Sequence, residues 1–357
     1  MRPQAMAALR SDESKMCRFG RIAAVVAILS CSAVLDSVAT FAESSSARAA
    51  TAALPLRYGQ AYSAMDSIYS LPIVVAQRNG YFVREGLDFA IVMIPGGGGN
   101  MIKALDDGTA DITHVATPFL IERALAGSDA VAIAAEFANP IYSLVAKPEI
   151  GDFAALKGRT VGMADEAGTI TYSAWKLLAL HGVRRSDVDV EIISGTPERL
   201  RCLQSGACDA VPLGQPEDFV ALAKGYRRLG LSSDAVPAFL YTVTAARRSW
   251  AAAHKDELVR YIRALAAAFQ FIRDPAHREE VVKIAAATEG VSAASARQTL
   301  AFYSDPERHV LPMAGEIDLA DMRQVLAFMA DTGTLGAPLP TPERFVDLDY
   351  LHAAGVE

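Results

Sequence analysis

The 357-residue chain has little cysteine, little histidine and no excess of positive charge. Four cysteines are too few for a disulfide scaffold, and no CxxC or HExxH pattern indicates a metal site. The formal net charge is −7, whereas a nucleic-acid-binding protein would need a basic face. We therefore expect no cofactor, no metal and no nucleic-acid partner.

Sequence patterns typical of enzymes are missing as well. There is no GxSxG and no P-loop, and the glycine run at 96–99 lacks the GxGxxG spacing of dinucleotide-binding folds. The six histidines do not cluster, and we expect most of them on solvated helix surfaces. With 52% hydrophobic and 21% charged residues, the chain is predicted to form two or three globular domains and not to be an enzyme.

The longest apolar run near the N-terminus extends from Ile22 to Leu35 and follows several basic residues. It is shorter than the ~20 residues of a membrane span but typical of a signal-peptide core. We predict a signal peptide over residues 1–42, cleaved after Ala42, with Ala39 as the alternative site. The protein is then exported to the periplasm.

Three features of the leader leave alternatives open. Translation from Met16 instead of Met1 would give a shorter leader, and an uncleaved leader would act as an anchor. A lipid anchor at Cys31 is disfavoured, because apolar residues continue past it. Residues 43–53 are predicted to be a flexible tether.

From Leu54 onward, short apolar strands alternate with helical stretches, and this rhythm predicts open parallel sheets covered by helices. The segments KALDDGTADIT (103–113) and RCLQSGACDAV (201–211) align, which matches Asp111 with Asp209. We infer two related α/β lobes, the first from residues 54–140 and 239–357 and the second from 141–238. The strands are predicted at 56–62, 87–94, 110–115, 130–137, 159–164, 188–193, 207–213 and 239–245.

In open α/β sheets, ligands bind beyond the carboxyl ends of the strands, where helix N-termini present free N–H groups. Four such places, at 63–67, 95–100, 166–171 and 195–197, carry small or polar residues. Helix caps and flexible turns use the same residues, so each place also has a purely structural interpretation. The candidate ligand-binding residues are Ser63, Asp66, Gly97, Gly98, Asn100, Thr117, Asn139, Gly168, Thr169, Thr171 and Gln215.

Three segments resemble a known family: PIVVAQRNGYFVREGL at 72–87, ALDDGTADI at 104–112 and LKGRTVG at 156–162. They are similar to the SsuA/THI5-like (NMT1) solute-binding proteins of ABC importers, over roughly residues 55–330. The resemblance implies a type II periplasmic-binding-protein fold, with two doubly wound α/β lobes and a ligand cleft between them. It implies neither catalysis nor a metal.

The resemblance also implies partners. A monomer would capture a small organic ligand and deliver it to an ABC permease in the inner membrane, closing by hinge rotation near 139–146 and 234–241. Relatives take up sulfonates, nitrate, pyrimidine precursors or aromatic acids, so the ligand stays open. The alternatives are a binding protein that feeds a membrane sensor and a periplasmic enzyme. The enzymes of this superfamily that make the thiamine pyrimidine carry a CCCxC motif, and this sequence has none.

Two cysteines, Cys202 and Cys208, remain after the predicted cleavage. In the repeat alignment they match Ala104 and Ala110, at the same junction between a helix end and the next strand. A disulfide is predicted if the two positions touch, and two buried thiols are the alternative.

Overall fold

The computed structural model describes residues 52–96, 98–166 and 168–357. The predicted signal peptide, its cleavage site and most of the tether lie outside these residues. Within them, no helix is both long enough and apolar enough to cross a membrane.

The described strands form two five-stranded sheets. The strands are β1 Leu54–Ala61, β2 Leu87–Ile94, β3 Ile112–Ala116, β4 Ala130–Phe137, β5 Ser143–Ala146, β6 Thr160–Met163, β7 Asp189–Ile192, β8 Ala210–Leu213, β9 Arg227–Leu231 and β10 Thr242–Arg247. The first sheet has the order β2-β1-β3-β10-β4, and the second has the order β7-β6-β8-β5-β9. The predicted lobe boundaries at 141 and 239 stay predictions, and the chain changes sheets between β4 and β5 and again between β9 and β10.

The sheets are mixed rather than purely parallel as the sequence rhythm predicted. β10 is antiparallel to β3 and β4, and β5 is antiparallel to β8 and β9. The reason is topological. The chain leaves the first sheet at the carboxyl end of β4 and enters the second sheet directly, so β5 starts at the edge where β6 and β8 end. In the same way, the return crossing from β9 brings the chain back to the first sheet where β3 and β4 end, so β10 runs antiparallel to both.

Helices cover both sheets. They are α1 Tyr62–Met65, α2 Leu71–Arg78, α3 Tyr81–Arg84, α4 Gly98–Asp106, α5 Thr117–Leu125, α6 Thr169–Leu180, α7 Thr196–Ser205, α8 Glu217–Ala223, α9 Ser232–Ala235, α10 Arg248–Ala253, α11 Lys255–Arg273, α12 Arg278–Glu289, α13 Ala293–Tyr303, α14 Leu319–Asp331 and α15 Asp349–Ala354. Short 3-10 helices lie at Ile68–Ser70, Ala154–Leu156, Arg185–Asp187, Pro275–His277, Pro306–Arg308 and Pro342–Phe345.

Two local predictions differ from the structure. The helix predicted over 67–82, ended by Asn79-Gly80, is divided: a short 3-10 helix precedes α2, and Gly80, with φ +67°, separates α2 from the short α3. This left-handed conformation is open to glycine because it has no Cβ. The charged strand β9 was not predicted, because its sequence RRLGL lacks the apolar alternation of a strand.

The core of the first lobe joins its sheet to the C-terminal helices. Ile133 of β4, Leu265 of α11, Leu300 of α13 and Val325 of α14 belong to one buried cluster. The second sheet has apolar clusters on its own helices, with Leu177 of α6 in one of them. The C-terminal helices therefore pack against the first sheet, and their assignment to the first lobe stays a prediction.

The two halves of the predicted repeat share their hydrogen bonds. The Asp111 carboxylate accepts from the Arg57 N–H at 2.8 Å, and the Asp209 carboxylate accepts from the Thr160 N–H at 3.0 Å. Each aspartate also donates its own N–H to the carbonyl of the same partner. Asp111 thus ties the start of β3 to β1, and Asp209 ties the start of β8 to β6.

The cysteines occupy the same place in the repeat as two alanines. The Cys208 N–H donates to the Cys202 carbonyl at 3.2 Å, as the Ala110 N–H donates to the Ala104 carbonyl at 3.0 Å. The structure joins the two cysteines by a disulfide, with Cα atoms 5.3 Å apart. The bridge closes the junction between α7 and β8.

A row of polar side chains from the first sheet is buried on the face that α11 covers. The fully buried Glu136 accepts hydrogen bonds from Tyr58 at 3.0 Å and Thr244 at 2.6 Å, and it lies 2.6 Å from His114 Nδ1. Thr244 in turn lies 2.8 Å from the Tyr261 hydroxyl of α11. His114 is therefore a buried strand residue, unlike the solvated helix positions expected for most histidines.

Candidate functional site

A cavity of about 400 Å³ lies between the two lobes, where strands from both sheets end. The first lobe contributes the segment after β1 and the ends of α12 and α13. The second lobe contributes the start of α7 and the turn between β8 and α8. The lining residues are Asp66, Ser67, Ile68, Tyr69, Tyr142, Thr196, Pro197, Gly214, Gln215, Pro216, Glu217, Glu289, Val291 and Tyr303. Their position at carboxyl strand ends is where open α/β sheets bind ligands.

Asp218 fixes the turn that forms the second-lobe wall. Its fully buried carboxylate accepts hydrogen bonds from Ser143 at 2.7 Å and from the Arg228 guanidinium at 2.8 Å. It also accepts from Gln215 Nε2 at 3.1 Å. Because a carboxylate only accepts, the Gln215 amide must turn its nitrogen toward Asp218 and its oxygen away. Gln215 Oε1 is buried and has no hydrogen-bond partner among the described residues.

Arg199 holds the start of α7 from inside the second lobe. Its side chain is 1% exposed and donates to the carbonyls of Pro212 at 2.8 Å and Ile193 at 3.1 Å. A third hydrogen bond, to Thr196 Oγ1 at 3.0 Å, orients a hydroxyl that lines the cavity. Burial lowers the pKa of Arg199 below its usual range.

Tyrosines form the back of the cavity. Tyr142 lies on the first crossing between the lobes, and its hydroxyl is 3.0 Å from that of Tyr241 on the second crossing. The Tyr69 hydroxyl lies 3.4 Å from Tyr142, and the Tyr69 and Tyr303 rings meet edge to face at 6.4 Å between centroids. Burial raises the pKa of Tyr142 and of Tyr303 well above the ordinary value, so both remain neutral phenols.

Two carboxylates on opposite walls share the cavity. Burial raises the pKa of Glu289 to about 7, and the charge of Glu217 contributes further. Burial likewise raises the pKa of Glu217, with a smaller contribution from Asp218 and an opposing one from Arg199. Glu289 Oε1 is buried and accepts no hydrogen bond from the described residues. The cavity therefore contains acceptors that a ligand could satisfy.

Of the predicted site residues, the structure brings Asp66 and Gln215 together in this cavity. Gly97 and the side chain of Ser63 lie outside the described part. Gly98 begins α4, and the exposed Asn100 donates its amide to the Pro95 carbonyl at 2.8 Å. Asn100 therefore closes its own loop.

Two further predicted residues bond to the segments that cross between the lobes. Thr117 is fully buried, and its hydroxyl donates to the Tyr241 carbonyl at 3.3 Å. Asn139 is 1% exposed and donates to the carbonyls of Pro237 at 2.7 Å and Arg308 at 3.1 Å. It borders another cavity, of about 720 Å³, formed by the crossings and the segment 305–321.

The remaining candidates surround the start of α6. The Gly168 N–H donates to Asp165 Oδ1 at 2.6 Å, and Thr169 is the first helical residue. The Thr171 hydroxyl donates to the Asp165 carbonyl at 3.0 Å and is 1% exposed. Thr171 borders a third cavity, of about 570 Å³, between α6 and the end of α14. These residues stay predicted ligand contacts, separate from the first cavity.

Sequence reasoning missed most of the lining. Tyr69, Tyr142, Glu217, Glu289 and Tyr303 were not among its candidates. Glu217 lies two residues after the predicted Gln215 and could have been found at the end of β8. Glu289 and Tyr303 come from helices more than 200 residues beyond β1, and no local pattern indicates that they return to its carboxyl end.

A two-lobed α/β chain with a cavity at the strand ends between its lobes has the fold of the periplasmic binding proteins. Residues 67–277 match the family described as NMT1/THI5 like. The chain belongs to this family, as the sequence resemblance predicted.

Similar solved structures include the periplasmic aliphatic sulphonate binding protein SsuA from Escherichia coli. It has a TM-score of 0.66 and 18% identity, covering 85% of this chain and 99% of that one. The periplasmic nitrate-binding protein NrtA from Synechocystis PCC 6803 has a TM-score of 0.66 and 14% identity. The match covers 84% of this chain and 88% of that one. At these identities the likeness shows the fold alone.

A curated relative is the 4-amino-5-hydroxymethyl-2-methylpyrimidine phosphate synthase of Schizosaccharomyces pombe. It is 25% identical over an alignment of 224 residues, and the match covers 58% of this chain. The match spans 63% of the relative's own length.

Proposed function

We propose that the protein is an extracytoplasmic solute-binding protein, which captures a small organic ligand between its lobes and delivers it to an ABC importer. The observation that carries this proposal is the cavity lined by carboxyl strand ends of both lobes. A ligand that touches Tyr69 on one wall and Gln215 on the other contacts both lobes at once. Such a ligand binds the closed arrangement more tightly and shifts the population toward it.

The crossings supply the hinge for this closure. The Ser232 hydroxyl accepts from the Tyr142 N–H at 2.8 Å and donates to the Pro140 carbonyl at 2.9 Å. Together with the bond from Asn139 to Pro237, these contacts tie the outgoing and returning segments into one narrow connection. Rotation about such a connection moves the lobes as rigid bodies, since each lobe keeps its own core.

The partners follow from this role. We infer a monomer that is exported to the periplasm after removal of residues 1–42 and that docks on a permease in its closed form. The alternative partner that binds the closed form is a sensor protein in the membrane. The neighbouring genes distinguish the two partners, because an importer needs an ABC ATPase and a permease.

The curated relative favours a second candidate function, synthesis of a pyrimidine phosphate. The name applies to a protein that this chain matches over only 63% of its length. In this chain no cysteine run like that of the pyrimidine-forming enzymes is present. The four cysteines stand singly, and two of them form the bridge between α7 and β8.

The experiment that tests the transport function combines native mass spectrometry with uptake. Protein purified under native conditions from a periplasmic extract is expected to carry one small molecule, released on denaturation. Cells lacking the gene should lose uptake of the isotope-labelled form of that molecule and regain it with the native gene. If uptake is unchanged in the deletion strain, importer function is excluded. Chemical conversion of the molecule by purified protein would instead support the synthase.

A further inference from the structure

The cavity between the lobes is lined by acidic groups and by no base. Asp66, Glu217 and Glu289 border it, whereas no lysine, arginine or histidine does among the described residues. The acids come from three separate elements, namely the end of α1, the start of α8 and the end of α12. An anionic ligand would meet like charge from both lobes, which raises the cost of burying it.

The buried polar atoms without partners in the cavity wall are hydrogen-bond acceptors. Within the described residues, Gln215 Oε1 is such an atom, and Glu289 Oε1 is another once its carboxyl group is ionised. The contact between Gln215 Nε2 and Asp218 fixes the direction of the amide, so its oxygen cannot be exchanged for the nitrogen. Satisfying both atoms needs N–H or O–H donors on the ligand.

Aromatic side chains complete the site. Tyr69, Tyr142 and Tyr303 line the same cavity as the two glutamates. Tyrosine rings attract cations through the negative face of their π-systems. A flat, delocalised cation could therefore lie against the rings while donating to the carboxylates.

Two bases lie behind the second-lobe wall, Arg199 and Arg228, and Arg228 is paired with the buried Asp218 at 2.8 Å. Arg199 reaches toward Thr196, and its charge lowers the pKa of Glu217 in opposition to burial. Its guanidinium is engaged with two carbonyls and a hydroxyl of its own lobe. The charged group that acts on Glu289 is Glu217 across the cavity, and Asp66 borders the same space. Because Arg228 is paired with Asp218, Arg199 is the one base among the described residues set against these three acids, and the balance stays negative.

We propose that this cavity selects a small organic cation with N–H donors, such as a protonated amine or an amidinium, over organic or inorganic anions. This inference rests on the proposed function, because it assumes that the cavity between the lobes is the solute site. Glu289 and Glu217 accept the donors from opposite walls, Gln215 Oε1 accepts a third, and the tyrosine rings cover the ligand.

The test uses isothermal titration calorimetry of the native protein at pH 8. Benzamidine, tyramine and agmatine form the cationic set, and benzoate, methanesulfonate and nitrate form the anionic set. We expect measurable binding in the cationic set. The variants Glu289→Gln and Glu217→Gln should each weaken it by about 10-fold or more, since each removes a charged acceptor. Glu149→Gln, at an exposed position outside the cavity, is the matched control.

The pH dependence gives a second readout. Affinity for the cations should rise as pH increases through about 7, where Glu289 loses its proton. The rise should be smaller in Glu289→Gln, which has no proton to lose there.

The outcomes separate the charge preference from the transport role. Failure of all three cations to bind, or equal affinity in both glutamine variants and the native protein, overturns the inference. If an anion binds and none of the cations does, the inference is overturned too, although the protein would still be a solute-binding protein. The proposed function fails separately, in the uptake experiment, if the deletion strain transports normally.

Discussion

The hydroxyl oxygens of Tyr142 and Tyr241 lie 3.0 Å apart and join the two chain crossings between the lobes. Tyr142 also lines the cavity and reaches Tyr69 of the first lobe. The two crossings and the candidate site therefore share a side chain. If the crossings act as the proposed hinge, their movement also moves the cavity wall, which would couple closure to ligand contact.

Replacing Tyr241 by Phe should lower the free energy of unfolding by about 1 kcal/mol, because one partly buried hydrogen bond is lost. Urea unfolding followed by circular dichroism measures the change. Tyr62→Phe is the control, since the Tyr62 side chain is 61% exposed. Equal unfolding midpoints for the two variants would show that the contact between the crossings contributes nothing.

Replacing Glu136 by Ala should destabilise the protein much more, by about 3–5 kcal/mol. Tyr58, Thr244 and His114 would then lose their common acceptor inside the core. The same unfolding experiment measures this, with Glu149→Ala as the exposed control. A loss below about 1 kcal/mol would mean that the buried row is dispensable.

The disulfide between Cys202 and Cys208 should be present in exported protein. Mass spectrometry of unreduced, denatured protein is expected to find no alkylatable thiol at these positions. The double variant Cys202→Ala, Cys208→Ala reproduces the alanines of the first lobe and should still fold. It should lose about 2–3 kcal/mol of stability, as expected for so short a loop. Two free thiols in the native protein would rule the bridge out.

Stability should fall as pH rises from about 6 to 7, in part because of Glu289. Its pKa of about 7 in the folded protein lies above its ordinary value of 4.5. Between these values the folded state binds more protons than the unfolded state, so raising the pH favours unfolding. Asp321, with a pKa of about 6, adds the same trend at lower pH.

Glu289→Gln should therefore flatten the dependence of unfolding free energy on pH between 6 and 7. Asp321→Asn should flatten it mainly below 6. Identical curves for native protein and Glu289→Gln would contradict the buried environment assigned to this carboxyl group.

The sequence predicted those parts of the fold that depend on local patterns. The repeat placed Asp111 and Asp209 at equivalent strand starts, and both accept from the backbone of the neighbouring strand. The direction of β5 and β10 could not be predicted, because it depends on which sheet edge the crossing reaches. β9 was missed since two arginines and a glycine occupy its five positions.

The site was harder to predict than the fold. Asp66 and Gln215 follow strands directly, so the rule about carboxyl strand ends found them. Glu289 ends a helix whose apolar pattern shows which side is buried but not which cavity its last residue borders. Thr171 and Asn100 were candidates because of their positions, yet their side chains bond to nearby carbonyls of their own loops. Residue type and position alone do not distinguish a ligand contact from a local cap.

The most direct test of the central claim is a crystal structure of the protein in complex with its co-purified solute, or with the tightest-binding probe of the calorimetric panel. We expect electron density for the ligand between Tyr69 and Tyr142 on one side and Gln215 on the other, with Glu217 and Glu289 within hydrogen-bond distance of its donors. Density in the cavity between α6 and α14, or in the cavity behind the crossings, would contradict this assignment.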